Sequence, residues 1–163
     1  MDARVQQKSE TDAAADRPFM RDSGTGPMPN VLGVVHVHKA MGADRAGSLA
    51  FWEAVVPRGA GAPPHVHEHD EAFFVLKGEI QVDFDGESRR VGPGGFFYGG
   101  RRRQAYRNVG DLPARVLILC TPSSGLDQML AELDAAAASG VSGFENLTAI
   151  TARYGVIIEQ PAT

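Results

Sequence analysis

The sequence contains one cysteine, Cys120, so no disulfide can form within the chain, and packing rather than covalent staples must hold the fold. That usage fits a reducing, cytoplasmic setting. Long apolar runs are missing as well: none approaches 18 residues, which excludes a helix spanning a bilayer, and no basic start followed by an apolar core marks a secretory leader. Positive charge is in short supply, with 16 Lys+Arg against 20 Asp+Glu. The net charge of −4 and a pI near 5.7 argue against a general nucleic-acid partner. The expectation is a cytoplasmic protein with neither a membrane nor a nucleic-acid partner. Cys120 follows Val116, Leu117, Ile118 and Leu119, which places it in a buried strand as a small apolar filler rather than a nucleophile.

At 163 residues the chain suits one folded body. Its pattern divides into three regions. Residues 1–29 are polar, alanine-rich and broken by Pro18, Gly24, Gly26, Pro27 and Pro29, which reads as a flexible arm with Phe19 and Met20 as its apolar anchors. Residues 30–122 alternate short apolar runs with glycine turns, the signature of an all-β body. Candidate strands are Val31–Val37, Ser48–Val56, Glu71–Leu76, Glu79–Phe84, Phe96–Tyr98, Gln104–Asn108 and Ala114–Thr121. Asp85-Gly86 is a two-residue hairpin signal, Lys77-Gly78 marks another turn, and either Phe51 or Trp52 must face inward. Over residues 123–163 the period changes: Leu126, Met129, Leu130 and Leu133 predict a helix over 125–138, with Ser124 and Asp127 at its start. Phe144, Leu147, Ile150 and Tyr154 predict a second helix over 145–154, stopped by Gly155. The expected role of both is to cover an outer face of the β body or to form a dimer contact.

The chemistry concentrates between Gly59 and Gly78. His65 and His67 are separated by one residue, and on a strand they point the same way, with Cβ atoms roughly 6.5 to 7 Å apart, so two imidazoles can converge on one ion. Glu71 has the same parity, and a bend between them brings its carboxylate to that side; His69 shares the parity too, so parity alone does not choose. His69 and Asp70 are read as flanking the site or facing solvent. Two imidazoles and a carboxylate give a divalent metal three ligands and leave positions open, as catalytic metal sites require.

At these residues the sequence resembles the cupin superfamily. Its first motif, a glycine, five residues, His-x-His, three or four residues, a glutamate, six residues and a glycine, is met at every fixed position from Gly59 through His65, His67 and Glu71 to Gly78. The second motif is matched poorly in the stretch Gly94 to Asn108: counting back from Asn108, Gln104 stands where the family carries its fourth ligand, a histidine, and Gly99-Gly100-Arg101 stands where Pro-x-Gly is expected. The resemblance implies a double-stranded jelly-roll β-barrel followed by the two C-terminal helices, similar to small quercetinase-like cupins, and a divalent metal ion, iron foremost, with manganese, nickel or zinc as the other choices. It also implies a homodimer, in which the N-terminal arm, as the alternative to a flexible segment, would lie across the partner subunit and be anchored by Phe19 and Met20.

Gln104 offers a neutral amide oxygen, a weaker ligand than imidazole for late transition metals. Three arrangements stay open. The metal rests on His65, His67 and Glu71 alone; Gln104 adds a weak fourth ligand; or Gln104 hydrogen-bonds a substrate or a metal-bound water. Phe73, Phe84 and Tyr106 would line an apolar, aromatic pocket, although a barrel core needs such residues anyway. Arg101 and Arg103, in the loop before Gln104, would meet a carboxylate or phenolate, or else form a solvated basic loop. His36 and His38 form a second His-x-His with no carboxylate at ligand spacing and are read as structural. The functional expectation is a non-haem Fe(II)-type dioxygenase acting on a small aromatic or hydrophobic molecule; Glu71 is the candidate catalytic residue, and in the Lewis-acid variant it or a bound water handles protons. The alternatives are a zinc or nickel Lewis-acid cyclase, isomerase or hydrolase, and a non-catalytic small-molecule-binding protein.

Overall fold

Strict alternation of buried and part-exposed side chains along Ala50–Val56 and Ala114–Thr121 gives each strand one face for the core and one for the outside. The computed structural model, which describes residues 17–160, arranges such strands into two packed sheets; residues 1–16 of the expected arm and 161–163 of the expected extension lie outside the described residues. The strands are β1 (Asn30–Val31), β2 (Val34–Ala40), β3 (Ala50–Val56), β4 (Gly61–Val66), β5 (Asp70–Lys77), β6 (Ile80–Phe84), β7 (Glu87–Val91), β8 (Phe96–Tyr98), β9 (Gln104–Asn108), β10 (Ala114–Thr121) and β11 (Ile157–Ile158). The helices are α1 (Leu126–Ala138) and α2 (Phe144–Ala152). One sheet has the order β1-β2-β3-β10-β5-β8 and the other β11-β4-β9-β6-β7, each antiparallel throughout. This is the expected all-β jelly roll.

The core fills the space between the sheets. Trp52, Ala54 and Val56 of β3, Val116 and Ile118 of β10, and Phe73 and Val75 of β5 face Ile80 and Val82 of β6 and Tyr106 of β9. Phe73 packs edge-on to Tyr106 at 5.3 Å and against Phe97 at 5.7 Å. Trp52, not Phe51, takes the inward position. Asn108, buried at the end of β9, donates through Nδ2 to the Val56 and Leu112 carbonyls and accepts from the Gly110 amide, and so closes one end of the barrel.

The Asp85-Gly86 turn forms as its sequence predicts: both residues take positive φ, 48° and 80°, the geometry whose twist matches a tight hairpin, and Phe84 pairs with Glu87 across it. Three strands escape the sequence pattern: β4, β7 and the two-residue β11. Residues 61–66, Gly-Ala-Pro-Pro-His-Val, hold few strand formers, yet they pair with β9 and β11, and the register slips between Ala62 and His65 where two prolines cannot donate. Residues 87–91, Glu-Ser-Arg-Arg-Val, are almost wholly polar because β7 is an edge strand that needs no buried face.

The described part of the arm lies along β2. The Pro29 and Pro27 carbonyls accept from the His36 and His38 amides, and Arg21 pairs bidentately with Asp44 while stacking on Phe19 at 5.0 Å. Met20 is exposed. Helix α1 begins behind Gly125 in a left-handed conformation and has no side-chain cap bond, so the Ser124 and Asp127 start read from sequence is not the one used. Neither helix is long and apolar enough to cross a membrane, which holds for every helix among the described residues.

A larger difference concerns what the helices cover. They do not lie on an outer sheet face. Leu126, Met129, Leu130 and Leu133 of α1, with Leu147 and Thr151 of α2, roof a cavity whose floor is His65, His67 and Glu71. β11 then returns as an added strand on β4, with Ile158 opposite His65. The 3.6-residue period identified the helices and their apolar face, but not the surface that face would meet.

His36 lies buried beside this cavity, edge-on to Trp52 at 6.1 Å. Burial, and secondarily the neighbouring His38, pushes its pKa down to about 4 from 6.5. Between those values an unfolded chain takes up a proton that the folded chain refuses, so stability falls as pH is lowered through the window. In a His36→Gln variant the slope of unfolding free energy against pH should flatten, by up to about 3 kcal/mol across the window, measured from urea midpoints; an unchanged slope would show that His36 is not a buried neutral base.

Candidate metal centre

Three local devices aim the imidazoles. The register slip at Pro63-Pro64 frees the Pro63 carbonyl from the ladder, and His65 Nδ1 meets it at 2.8 Å. The chain bends just after β4, and the bend returns the His69 carbonyl to His67 Nδ1 at 2.9 Å. A carbonyl oxygen can only accept, so each Nδ1 carries a proton, and each Nε2 is left for a cation when the ring is neutral or for the Glu71 carboxylate when the ring takes up a second proton. The third device is sheet packing: Glu71, the second residue of β5 in the opposite sheet, reaches across to them.

The resulting group is tight and buried. Glu71 Oε2 lies 3.0 Å from His67 Nε2 and 3.9 Å from His65 Nε2. One ligand atom from each of the three residues falls within 4.8 Å of the others. Burial opposes the charge on Glu71, but hydrogen bonding and the positive potential of His65 and His67 outweigh it, and the carboxyl is held well below the usual carboxylate range. Burial likewise opposes charge on His65, and the Glu71 carboxylate outweighs that too and raises its pKa.

Gln104 stands directly opposite His65 on β9. Its Nε2 donates to Glu71 Oε2 and sits 3.0 Å from His67 Nε2, so an amide N–H addresses the same lone pairs that a cation would. Its Oε1 is buried without a partner. Turning the amide over would present that oxygen, rather than an N–H, to a cation held by His67 and Glu71. Room for the amide comes from Gly99, where an added Cβ would stand 1.6 Å from Gln104 Oε1. Two lone-pair imidazole nitrogens, an ionised carboxylate and an amide with an unused oxygen form a donor set that fits a divalent cation.

The remaining candidates are distributed differently from the sequence reading. Tyr106 lines the cavity; Phe73 and Phe84 do not, and pack instead against Phe97 in the aromatic core. The arginine loop makes ion pairs within the chain: Arg101 with Asp70, Arg102 with Asp85, and Arg103 with Glu159. These pairs are exposed, worth about 0–1 kcal/mol each, and their guanidiniums are turned to carboxylates rather than to the cavity. His69 faces inward, not solvent: it is buried, stacked on His67 with ring centroids 3.7 Å apart, and lines the cavity. Cys120 is the buried strand residue expected, opposite Glu71 in the β10–β5 register. Sequence reasoning did not assign the helical roof to the site; the apolar stripe of α1 was its visible signal.

The Cupin domain family model matches residues 52–120. A cupin domain therefore lies within residues 52–120. The chain is similar in structure to KdgF from Halomonas sp., with a TM-score of 0.56 and 25% identity over 65% of this chain and 94% of that one. An RmlC-like cupin from Shewanella frigidimarina gives a TM-score of 0.56 and 16% identity over 65% and 92% of the two chains. A predicted oxalate decarboxylase from Thermotoga maritima gives a TM-score of 0.57 and 18% identity over 64% and 99%. The last two likenesses carry the fold alone. No curated protein matches the sequence.

Gly99→Ala tests the seat of Gln104. The new methyl group must displace the amide, and metal retention should fall by roughly ten-fold or more, as losses next to a metal ligand commonly do, while far-UV circular dichroism stays unchanged. Undiminished retention would place Gln104 outside the metal's reach.

Proposed function

We propose that this protein is a metal-dependent enzyme that acts on a small apolar or aromatic molecule, with iron(II) and dioxygen as the favoured chemistry. One observation carries the reading: the buried group of His65, His67 and Glu71 forms the floor of an otherwise largely apolar cavity roofed by α1 and α2. When bound, iron would supply redox chemistry and open coordination positions, whereas zinc or nickel would supply Lewis-acid polarisation of a carbonyl.

The chain's own residues define the remainder. His65 and His67 are locked by backbone carbonyls, which fixes the direction of their free nitrogens. Glu71 is ionised and buried, so it can hold charge or exchange a proton at Oε2. Trp52, Leu126, Met129, Leu130 and Tyr106 supply an apolar wall that excludes water from a bound molecule. The cavity measures about 110 Å³, against about 150 Å³ for an apolar cavity that accepts benzene. A single ring or a short aliphatic chain therefore suits it, and a flavonol would require the helical roof to shift.

Gln104 supports a second reading. With a neutral amide in place of a fourth imidazole, weaker metal retention and a Lewis-acid or purely binding role follow from the same site. We also place the protein in the cytoplasm as a homodimer. The outer face of the larger sheet carries an exposed stripe of Leu119, Phe74, Phe96 and Tyr98, bordered by the Glu53–Arg115 pair. A two-fold copy would set this stripe against itself and let those charges exchange partners.

Elemental analysis of the untagged protein, purified without added metal, separates the readings: near-stoichiometric iron or manganese supports the oxygenase, and zinc supports the Lewis-acid enzyme. His65→Ala removes one of three strong ligands and should strip most of that metal; unchanged content would sink the site. Oxygen uptake with catechols and other single-ring compounds is expected to exceed that with flavonols, and no uptake with an iron-loaded protein would count against dioxygen chemistry. Sedimentation should give a mass near twice 17.4 kDa, and a Phe74→Glu variant should sediment as a monomer.

A further inference from the structure

The centre described above uses one oxygen of Glu71. The other, Oε1, faces the opposite way, 3.7 Å from Cys120 Sγ, and Cys120 stands directly across the β10–β5 ladder from Glu71. His69 completes a second group, in which the candidate ligand atoms of His69, Glu71 and Cys120 all lie within 4.8 Å of one another. All three residues are buried.

The distances suit coordination. A tetrahedral ion with carboxylate oxygen at about 2.0 Å and thiolate sulfur at about 2.3 Å separates those two atoms by roughly 3.5 Å, close to the 3.7 Å between Glu71 Oε1 and Cys120 Sγ. The donor set is also softer than its neighbour. Thiolate favours zinc and cobalt over the harder ions that carboxylate and water accept. His69 is positioned by stacking nearly parallel on His67, with an interplanar angle of 8°, and it borders the cavity, so an ion entering there meets both groups.

We propose that His69, Glu71 and Cys120 form a second cation site, selective for thiophilic divalent ions and sharing Glu71 with the first. On binding, the Cys120 S–H bond breaks, the sulfur electron pair forms the metal–sulfur bond, and the proton passes to solvent; no oxidant is involved. Iron or manganese then favours His65 and His67, and zinc or cobalt favours Cys120, so zinc counts toward the first site only where His65→Ala removes it. This sorting rests on the reading of Glu71 as a ligand carboxylate. The competing account is an ordinary core cysteine with a weak S–H contact to Glu71.

Cobalt(II) alone, titrated into the full-length protein, decides between them. A cobalt–thiolate bond gives a charge-transfer band in the near ultraviolet, and because Cys120 is the chain's one cysteine, any such band in the wild type comes from Cys120. We expect the band to saturate at one thiolate bond per chain, to vanish in Cys120→Ser, to weaken in His69→Asn and to persist in His65→Ala. A wild-type cobalt complex with no such band overturns the proposal, and this result needs no folded variant. Persistence of the band in Cys120→Ser would overturn it equally. The readout is separate from the proposed function: a band that persists while His65→Ala leaves iron content unchanged keeps this site and removes the other, and an absent band with iron lost in His65→Ala does the reverse.

Discussion

The Glu71 carboxylate is the constraint around which the site is organised. It is ionised, buried and carried on β5, whereas the imidazoles that face it ride on and just beyond β4 in the opposite sheet. A charge taken out of water must find partners, and here they arrive from several directions: His65 and His67 with fixed tautomers, Gln104 from β9, and Cys120 from β10. The carboxylate thereby ties the two sheets together at one end of the barrel. Asn108 performs a similar service at the end of β9 with neutral hydrogen bonds.

Around that centre polar and apolar parts are kept separate. The floor of the cavity holds nearly all its hydrogen-bonding capacity, and the roof from α1 and α2 is aliphatic. The C-terminal segment fastens the roof in two ways. β11 pairs with the strand that carries His65, and Glu159 engages Arg103 beside Gln104. A change at the C-terminus is thus transmitted to metal-site residues through a backbone ladder rather than through a chain of side chains. The exposed ion pairs of the arginine loop stiffen the approach to β9 only slightly, since solvent screens each of them.

Some of this was legible in the residues. Spacing from Gly59 to Gly78 put His65, His67, His69 and Glu71 on one side, the resemblance to the first cupin motif singled out His65, His67 and Glu71, and those three do converge. The apolar period of Leu126, Met129, Leu130 and Leu133 located α1 almost to the residue. Strands β4 and β7 were not legible: the first is proline-rich and held by its neighbours, and the second is a polar edge. Propensity reports how a segment suits a strand, whereas pairing depends on what lies alongside it. Phe73 and Phe84 were assigned to the pocket by parity alone, and parity states which face a side chain takes but not how deep in the barrel it lies.

What the sequence determined by itself was local: which residues share a strand face, where the tight turns fall, and which donors sit close enough along the chain to meet. What the tertiary structure decided was everything that joins segments distant in sequence: Gln104 beside His65, Cys120 behind Glu71, and the two helices closed over the cavity. The reason is physical. Side-chain periodicity is fixed by backbone geometry within a few residues, but a buried charge, a cavity and its roof exist only once separate elements have excluded water between them.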